Sequence, residues 1–203
     1  MVVSKWKDIW GRFSGKGVYP HELAFLLDSP LRNLILPAAK QVDRLHLAAD
    51  ARVLEIGPGP GYFSPEVARR TPRGEFVLFD IQREMLIKSR TKLDRLGRRH
   101  YRLVQGSAES LPFQASRFDV VFMVTVLGEV LNPSACVAHI SRVLRPGGIL
   151  SLTEQAGDPD ALTPTQLAAM GEVAGLQVIN EYPFRGGFTL NLAKKAVVTQ
   201  HSG

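Results

Sequence analysis

From residue 51 onward, short apolar runs alternate with stretches in which apolar residues recur every three or four positions. That is the pattern of buried strands joined by amphipathic helices. It predicts strands over 51–56, 75–79, 101–104, 118–124 and 149–153. Helices are predicted over 63–70, from 83 to a left-handed cap at Gly97, and over 133–144, with Asn132 as N-cap and Pro133 at the first helical position. Leu144-Arg145-Pro146-Gly147-Gly148 is the turn before the fifth strand. Thr163-Pro164-Thr165-Gln166 reads as a capping box, opening a helix that closes near Gly175. Two last strands, 176–182 and 188–194, flank Arg185-Gly186-Gly187, a turn suited to a hairpin. The expected fold is therefore α/β and doubly wound: five parallel strands, then a hairpin whose last strand is antiparallel, with helices on both faces. Upstream, helices over 21–27 and from Ser29-Pro30 toward Leu45 precede the first strand and are additions to the sheet. The chain divides into a helical extension (1–45), a sheet domain (46–198) and a frayed tail (199–203).

Composition adds little until charge is considered. With 203 residues, 45% apolar and 22% charged, the chain suits one sizeable core. No apolar run approaches the roughly 20 residues of a membrane span, and residues 1–15 lack a secretory signal pattern, so the expected location is cytoplasmic. The single Cys136 leaves no intrachain disulfide and no thiolate-rich metal site, and no metal is expected. The net charge is +6, and it is concentrated. Between Arg83 and Arg102 lie eight basic residues against Glu84 and Asp94, a difference equal to the whole excess. Leu86, Leu93 and Leu96 recur at helical spacing, which makes the run a solvated helix face; a nucleic-acid patch is the alternative.

The chemistry gathers at the ends of strands. Val53-Leu54-Glu55-Ile56-Gly57-Pro58-Gly59-Pro60-Gly61 runs a buried strand into a glycine loop, where a backbone can turn sharply and let a ligand approach. The spacing is G-x-G-x-G, and Tyr62 stands where a dinucleotide fingerprint has its third glycine. Asp80 follows the second strand, where a carboxylate can accept both hydroxyls of a ribose. Glu55, Asp80, Glu109, Glu129 and Glu154 each sit at or just beyond a strand's carboxyl end, the ligand-binding rim of an open α/β sheet. Five carboxylates there would repel a pyrophosphate and attract a ligand carrying a sulfonium and an ammonium.

At these residues the sequence resembles the class I S-adenosylmethionine-dependent methyltransferases, in the broad group similar to ubiquinone and menaquinone biosynthesis methyltransferases. The resemblance covers about residues 51–148 closely and the terminal hairpin more loosely. It implies a Rossmann-like seven-stranded sheet and S-adenosylmethionine as cofactor, with S-adenosylhomocysteine as product. By resemblance, Glu55, Gly57, Pro58, Gly59 and Gly61 hold the methionine part, Asp80 the ribose, and Ile81 packs beside adenine. Ser107, Ala108 and Glu109 belong to a segment, Gly106 to Phe113, similar to an adenine loop commonly written G-D-A-E-x-L-P-F. Val124 and Thr125, at the end of strand four, complete the implied set. Ser107 replaces the usual aspartate; a hydroxyl still accepts one bond, uncharged and with shorter reach.

The acceptor is less legible. Residues 123–130 lack the N/D-P-P-Y/F sequence of enzymes that methylate exocyclic base or glutamine amides, and the proline-cysteine pair of cytosine-C5 enzymes is absent. A general base is needed only if the acceptor must lose its proton by the transition state; Glu129, His21 and Tyr19 are the candidates. The expected function is methyl transfer to a small-molecule acceptor. An RNA methyltransferase using the basic helix over 83–102 and a non-catalytic nucleoside-binding protein remain as alternatives. The N-terminal segment, rich in aromatics, is the expected acceptor lid.

Overall fold

The computed structural model describes residues 36–98 and 100–195. Helix α1 (Ala38–Asp43) precedes β1 (Val53–Ile56), α2 (Ser64–Arg70), β2 (Phe76–Asp80), α3 (Arg83–Arg95), β3 (Tyr101–Gln105) and β4 (Phe118–Val124). A single 3-10 turn (Leu127–Glu129) leads to α4 (Pro133–Val143), β5 (Leu144–Gln155), α5 (Pro164–Val173) and the hairpin β6 (Leu176–Phe184) and β7 (Gly187–Lys194). The seven strands lie in the order β3-β2-β1-β4-β5-β7-β6. The β1–β2, β2–β3, β1–β4 and β4–β5 pairs are parallel. Strand β7 is antiparallel to both neighbours and lies between β5 and β6. The expected architecture is present, and the hairpin enters the sheet with its second strand inward.

Strand residues alternate between two cores, which is why β1 and β2 are buried at every position. Leu54, Val77, Phe79, Val121, Met123 and Leu152 pack with Val137 and Ile140 of α4 and Leu167 of α5. Val53, Phe76, Leu78, Val120 and Phe122 pack with Val42 of α1, Val67 of α2, and Leu86 and Leu93 of α3. The caps hold as read: Asn132 accepts from Ala135 N–H at 3.0 Å, and Thr163 and Gln166 form the reciprocal box.

Four boundaries differ from expectation. The helix expected from Ser29 to Leu45 is interrupted, because Pro37 takes an extended conformation as the N-cap of α1; its ring disfavours helix in the residue before it. The expected turn over residues 144–148 belongs to β5, with Leu144 pairing Phe118 before the register shifts and Ile149 rejoins Val120. The hairpin turn is two residues, since Phe184 pairs with Gly187. Leu96, expected to face inward, is 47% exposed beyond the end of α3. His21, Tyr19 and the helix expected over 21–27 lie outside the described residues, as do the tail and most of the expected lid.

Candidate active site

Consecutive strands diverge at β1: β2 and β3 lie to one side, β4 and β5 to the other. Such a switch point leaves a crevice beyond the carboxyl ends of the strands. A cavity of about 540 Å³ occupies it, a size ordinary for small-molecule sites. Of the sequence-derived residues, Glu55, Gly57, Pro58, Gly59, Asp80, Ile81, Ser107, Ala108, Glu109, Val124, Thr125 and Glu129 all line it.

The first end is built on β1 and β2. After β1 the chain turns through Gly57, Gly59 and Gly61, all at positive φ. A Cβ on Gly57 would come within 2.5 Å of Val126 Cγ2, so the loop lies directly against the segment following β4. Gly61 does not line the cavity; it is buried against Ser89 of α3, and its place is in helix packing. Ser89 Oγ in turn donates to Gly59 O at 2.9 Å. Glu55 is 2% exposed, accepts a 2.6 Å bond from Ser64 Oγ, and is pushed up to about 8, chiefly by burial. Asp80 accepts the Gln82 backbone N–H at 2.8 Å; burial, the largest influence, still raises its carboxyl to about 6. Ser107 Oγ accepts from Glu109 N–H at 3.3 Å. Glu109 Oε1 accepts from Asn132 N–H at 2.7 Å, tying the loop after β3 to the start of α4.

The second end lies beyond β4 and β5. Thr125 has a φ of 52° and is held by its N–H to Thr153 O at 2.8 Å. Glu129 follows on the 3-10 turn. Asp158 and Asp160, after β5, also line the cavity and were missed in the sequence. The strand-end rule that selected Glu154 would have found Asp158 four residues further on and Asp160 six. Glu154 itself is 2% exposed and does not line the cavity, so the rim is not the five carboxylates expected. Among the described residues, six carboxylates line the cavity and no lysine, arginine or histidine does. No group of three or more His, Cys, Asp or Glu among the described residues could hold a metal ion.

The basic run is only partly exposed to solvent. Arg83, Lys88, Arg90 and Arg95 are exposed on α3. Arg98 instead donates to Pro72 O at 3.1 Å and to Thr71 O, and Arg102 lies 3.7 Å from Glu75. Among the described residues no helix is long and apolar enough to cross a membrane.

Comparison with known proteins agrees with this geometry. Residues 54–152 match the family model described as a methyltransferase domain. A ubiquinone/menaquinone biosynthesis C-methyltransferase of Stutzerimonas stutzeri is 40% identical over 105 residues, covering 51% of this chain and 41% of the relative. A malonyl-[acyl-carrier protein] O-methyltransferase of Legionella pneumophila is 30% identical over 134 residues, covering 66% and 45%. The chain thus spans less than half the length of these relatives. The fold matches the crystal structure of a SAM-dependent methyltransferase from Aquifex aeolicus at a TM-score of 0.81 and 20% identity, covering 87% of this chain and 100% of that one. The chain carries a class I S-adenosylmethionine-dependent methyltransferase domain, similar to that of the ubiquinone/menaquinone biosynthesis C-methyltransferases.

Proposed function

We propose that this protein transfers a methyl group from S-adenosylmethionine to a small-molecule acceptor, both bound in the cavity at the β1/β4 switch point. The observation that carries the reading is the lining itself: carboxylates at both ends and no basic side chain among the described residues. Such a wall favours a cationic cofactor over one bearing a pyrophosphate. The residues fit that cofactor. Glu55, buried yet lining the cavity, is suited to the ammonium; Asp80, held by the Gln82 backbone N–H, to the ribose hydroxyls. Gly57, Pro58 and Gly59 are suited to close approach, and Ile81, Ser107 and Ala108 to adenine. When bound, S-adenosylmethionine supplies a methyl carbon activated by the adjacent sulfonium. The chain's own part is to hold the acceptor in line with that carbon and to keep water away. Phe63, Val124 and Val126 give the cavity apolar walls for this. Glu129 is the cavity residue suited to receive a proton where the acceptor must lose one.

We assign the acceptor's cover to the N-terminal segment, since the loops after β4 and β5 are short. The RNA reading is weaker: α3 follows β2, beside the adenosine end rather than the methyl, and Arg98 and Arg102 are engaged within the fold.

The test is calorimetric. S-adenosylhomocysteine at about 100 times its dissociation constant should stabilise by about 2.7 kcal/mol, or roughly 5–10 °C in melting temperature, and NAD should give less. A larger shift with NAD would overturn the cofactor. Label from methyl-labelled cofactor appearing in a small-molecule fraction of cell extract would support the enzyme reading over a nucleoside-binding protein, and label in RNA would overturn the acceptor class. Deleting residues 1–28 should leave cofactor binding but abolish transfer; retained transfer would move the lid elsewhere.

A further inference from the structure

The connections from β1 to β2, β2 to β3 and β4 to β5 each carry a helix, but residues 106–117, which join β3 to β4, form none. Helices α2 and α3 pack on one face of the sheet. On the other, α4 and α5 sit chiefly against β5, β6 and β7, so the outer part of that face, at β2 and β3, is left to the loop. A second cavity, of about 350 Å³, lies there and shares no lining residue with the first.

Its floor is apolar, formed by Val77, Val104, Pro112 and Phe113. The loop is held so that it does not collapse inward. Arg142 of α4 donates to the Leu111 and Phe113 carbonyls, both at 2.7 Å. The Phe113 ring is packed edge-on with Phe79 and Phe118, at centroid distances of 5.7 and 5.2 Å. The polar part of the lining is Arg102, Gln114 and Arg117, with no carboxylate among the described lining residues. The first cavity has the opposite charge. A single acid outside the lining, Glu75, serves both guanidinium groups: Arg117 Nη2 donates to Glu75 Oε1, and Arg102 Nε lies 3.7 Å from the same oxygen. Among the described residues neither arginine side chain has another hydrogen-bond or ion-pair partner, and Arg117 Nε is buried with no acceptor. An unmet buried donor is costly. Two cations sharing one carboxylate oxygen leave net positive charge beside an apolar floor.

We propose that this second cavity binds a small organic carboxylate with an apolar body, apart from the site of methyl transfer. Guanidinium groups hold carboxylates through charge-assisted bonds, and the floor suits an alkyl chain or an aryl ring. The volume is at the lower end for small-molecule sites, which favours such a ligand over a partner protein's helix, about 10 Å across. An amine would instead meet two like charges. The proposal does not depend on the cofactor assigned to the first cavity.

The experiment is isothermal calorimetry on the full chain, with and without saturating S-adenosylhomocysteine. The probes are phenylpropionate and octanoate, the corresponding alcohols and amines, and inorganic phosphate. At least one carboxylate should bind about tenfold to a hundredfold more tightly than its alcohol, as a charge-assisted bond gives, and its amine should not bind. S-adenosylhomocysteine should change that affinity by less than about threefold, under half of a tenfold step on the free-energy scale. Arg102→Ala, at a side chain 70% exposed, should weaken carboxylate binding about tenfold with the melting temperature unchanged. Arg117→Lys keeps a cation beside Glu75 but loses the planar fork, and should weaken it too. An alcohol binding as well as its carboxylate, a preference untouched by Arg102→Ala, phosphate binding as tightly as the carboxylates, or no probe binding would each overturn the site. Displacement by S-adenosylhomocysteine would also overturn it, because the probe would then occupy the first cavity. If carboxylates bind as stated and S-adenosylhomocysteine does not bind at all, the methyltransferase reading fails and the second site stands.

Discussion

The two ends of the cavity hold similar numbers of carboxylates but treat them differently. At the β1–β2 end, Glu55 has the Ser64 hydroxyl and Asp80 has the Gln82 backbone N–H. At the β4–β5 end, Asp158 has one backbone N–H and Glu154 has no partner among the described residues. The first end is organised before any ligand arrives, as the ribose and ammonium contacts proposed for it require. The second places Glu154, buried and with no hydrogen-bond partner among the described residues, just behind its lining. Preorganisation of this kind lowers the cost of ordering the site on binding. The difference teaches that acidity alone does not define a subsite here; what the acids are bonded to does.

The most severe way to break the first end is through its backbone. Gly57→Ala should lose about 2–5 kcal/mol of stability, because a side chain at a φ of 67° is strained and would also run into Val126. Cofactor binding should fall below detection in the same calorimeter. A variant with wild-type melting and affinity would show that the loop is more pliable than this packing implies.

Asp80→Ala removes a carboxylate without touching the core. S-adenosylhomocysteine should bind about tenfold to a hundredfold more weakly, with its enthalpy reduced. Wild-type affinity would remove Asp80 from the site.

A third measurement uses pH. Glu55 is raised from 4.5 to about 8, so the folded protein keeps a proton that the unfolded chain has released. Folding stability contributed by this group is therefore present below about pH 4.5 and lost as pH climbs toward 8. Binding an ammonium needs the ionised form, so cofactor affinity should rise with pH between 6 and 8, by up to about tenfold per unit. Binding should also release protons, seen as a dependence of the heat on the buffer's ionisation enthalpy. Glu55→Gln should flatten the slope, and a slope unchanged in that variant would place the titrating group elsewhere.

The smallest effect calibrates the others. Thr163→Ala breaks the capping box of α5 and should cost about 1 kcal/mol in a denaturant melt. Cofactor affinity should be unchanged, since neither Thr163 nor Gln166 lines the cavity. A matching loss of affinity would mean that global stability, not local chemistry, is what the other variants report.

Most of the first end was legible before any coordinates, because it is written locally. Glu55, the glycine loop and Asp80 sit within 26 residues of one another and follow from strand-loop-helix grammar. Gly61 lies off the cavity for a reason local pattern could not reveal: its neighbour, Ser89, is 28 positions away on α3. The second end was mostly invisible. Glu129, Asp158 and Asp160 become one wall only because Gly128 lets two loops touch. No spacing rule links residues 128 and 160.

The sequence by itself determined the elements and the core: period-two and period-3.6 apolar patterns, caps at Asn132 and Thr163, and strand ends marked by acids. These depend on interactions between residues a few positions apart, which the chain carries in its order. Only the tertiary structure decided which partners the acids meet, that Glu154 is buried off the cavity rather than on it, and that Pro37 caps the helix Ala38–Asp43. Burial and charge compensation depend on what else arrives in the same small volume, and that is fixed when the sheet closes its order and both faces are covered.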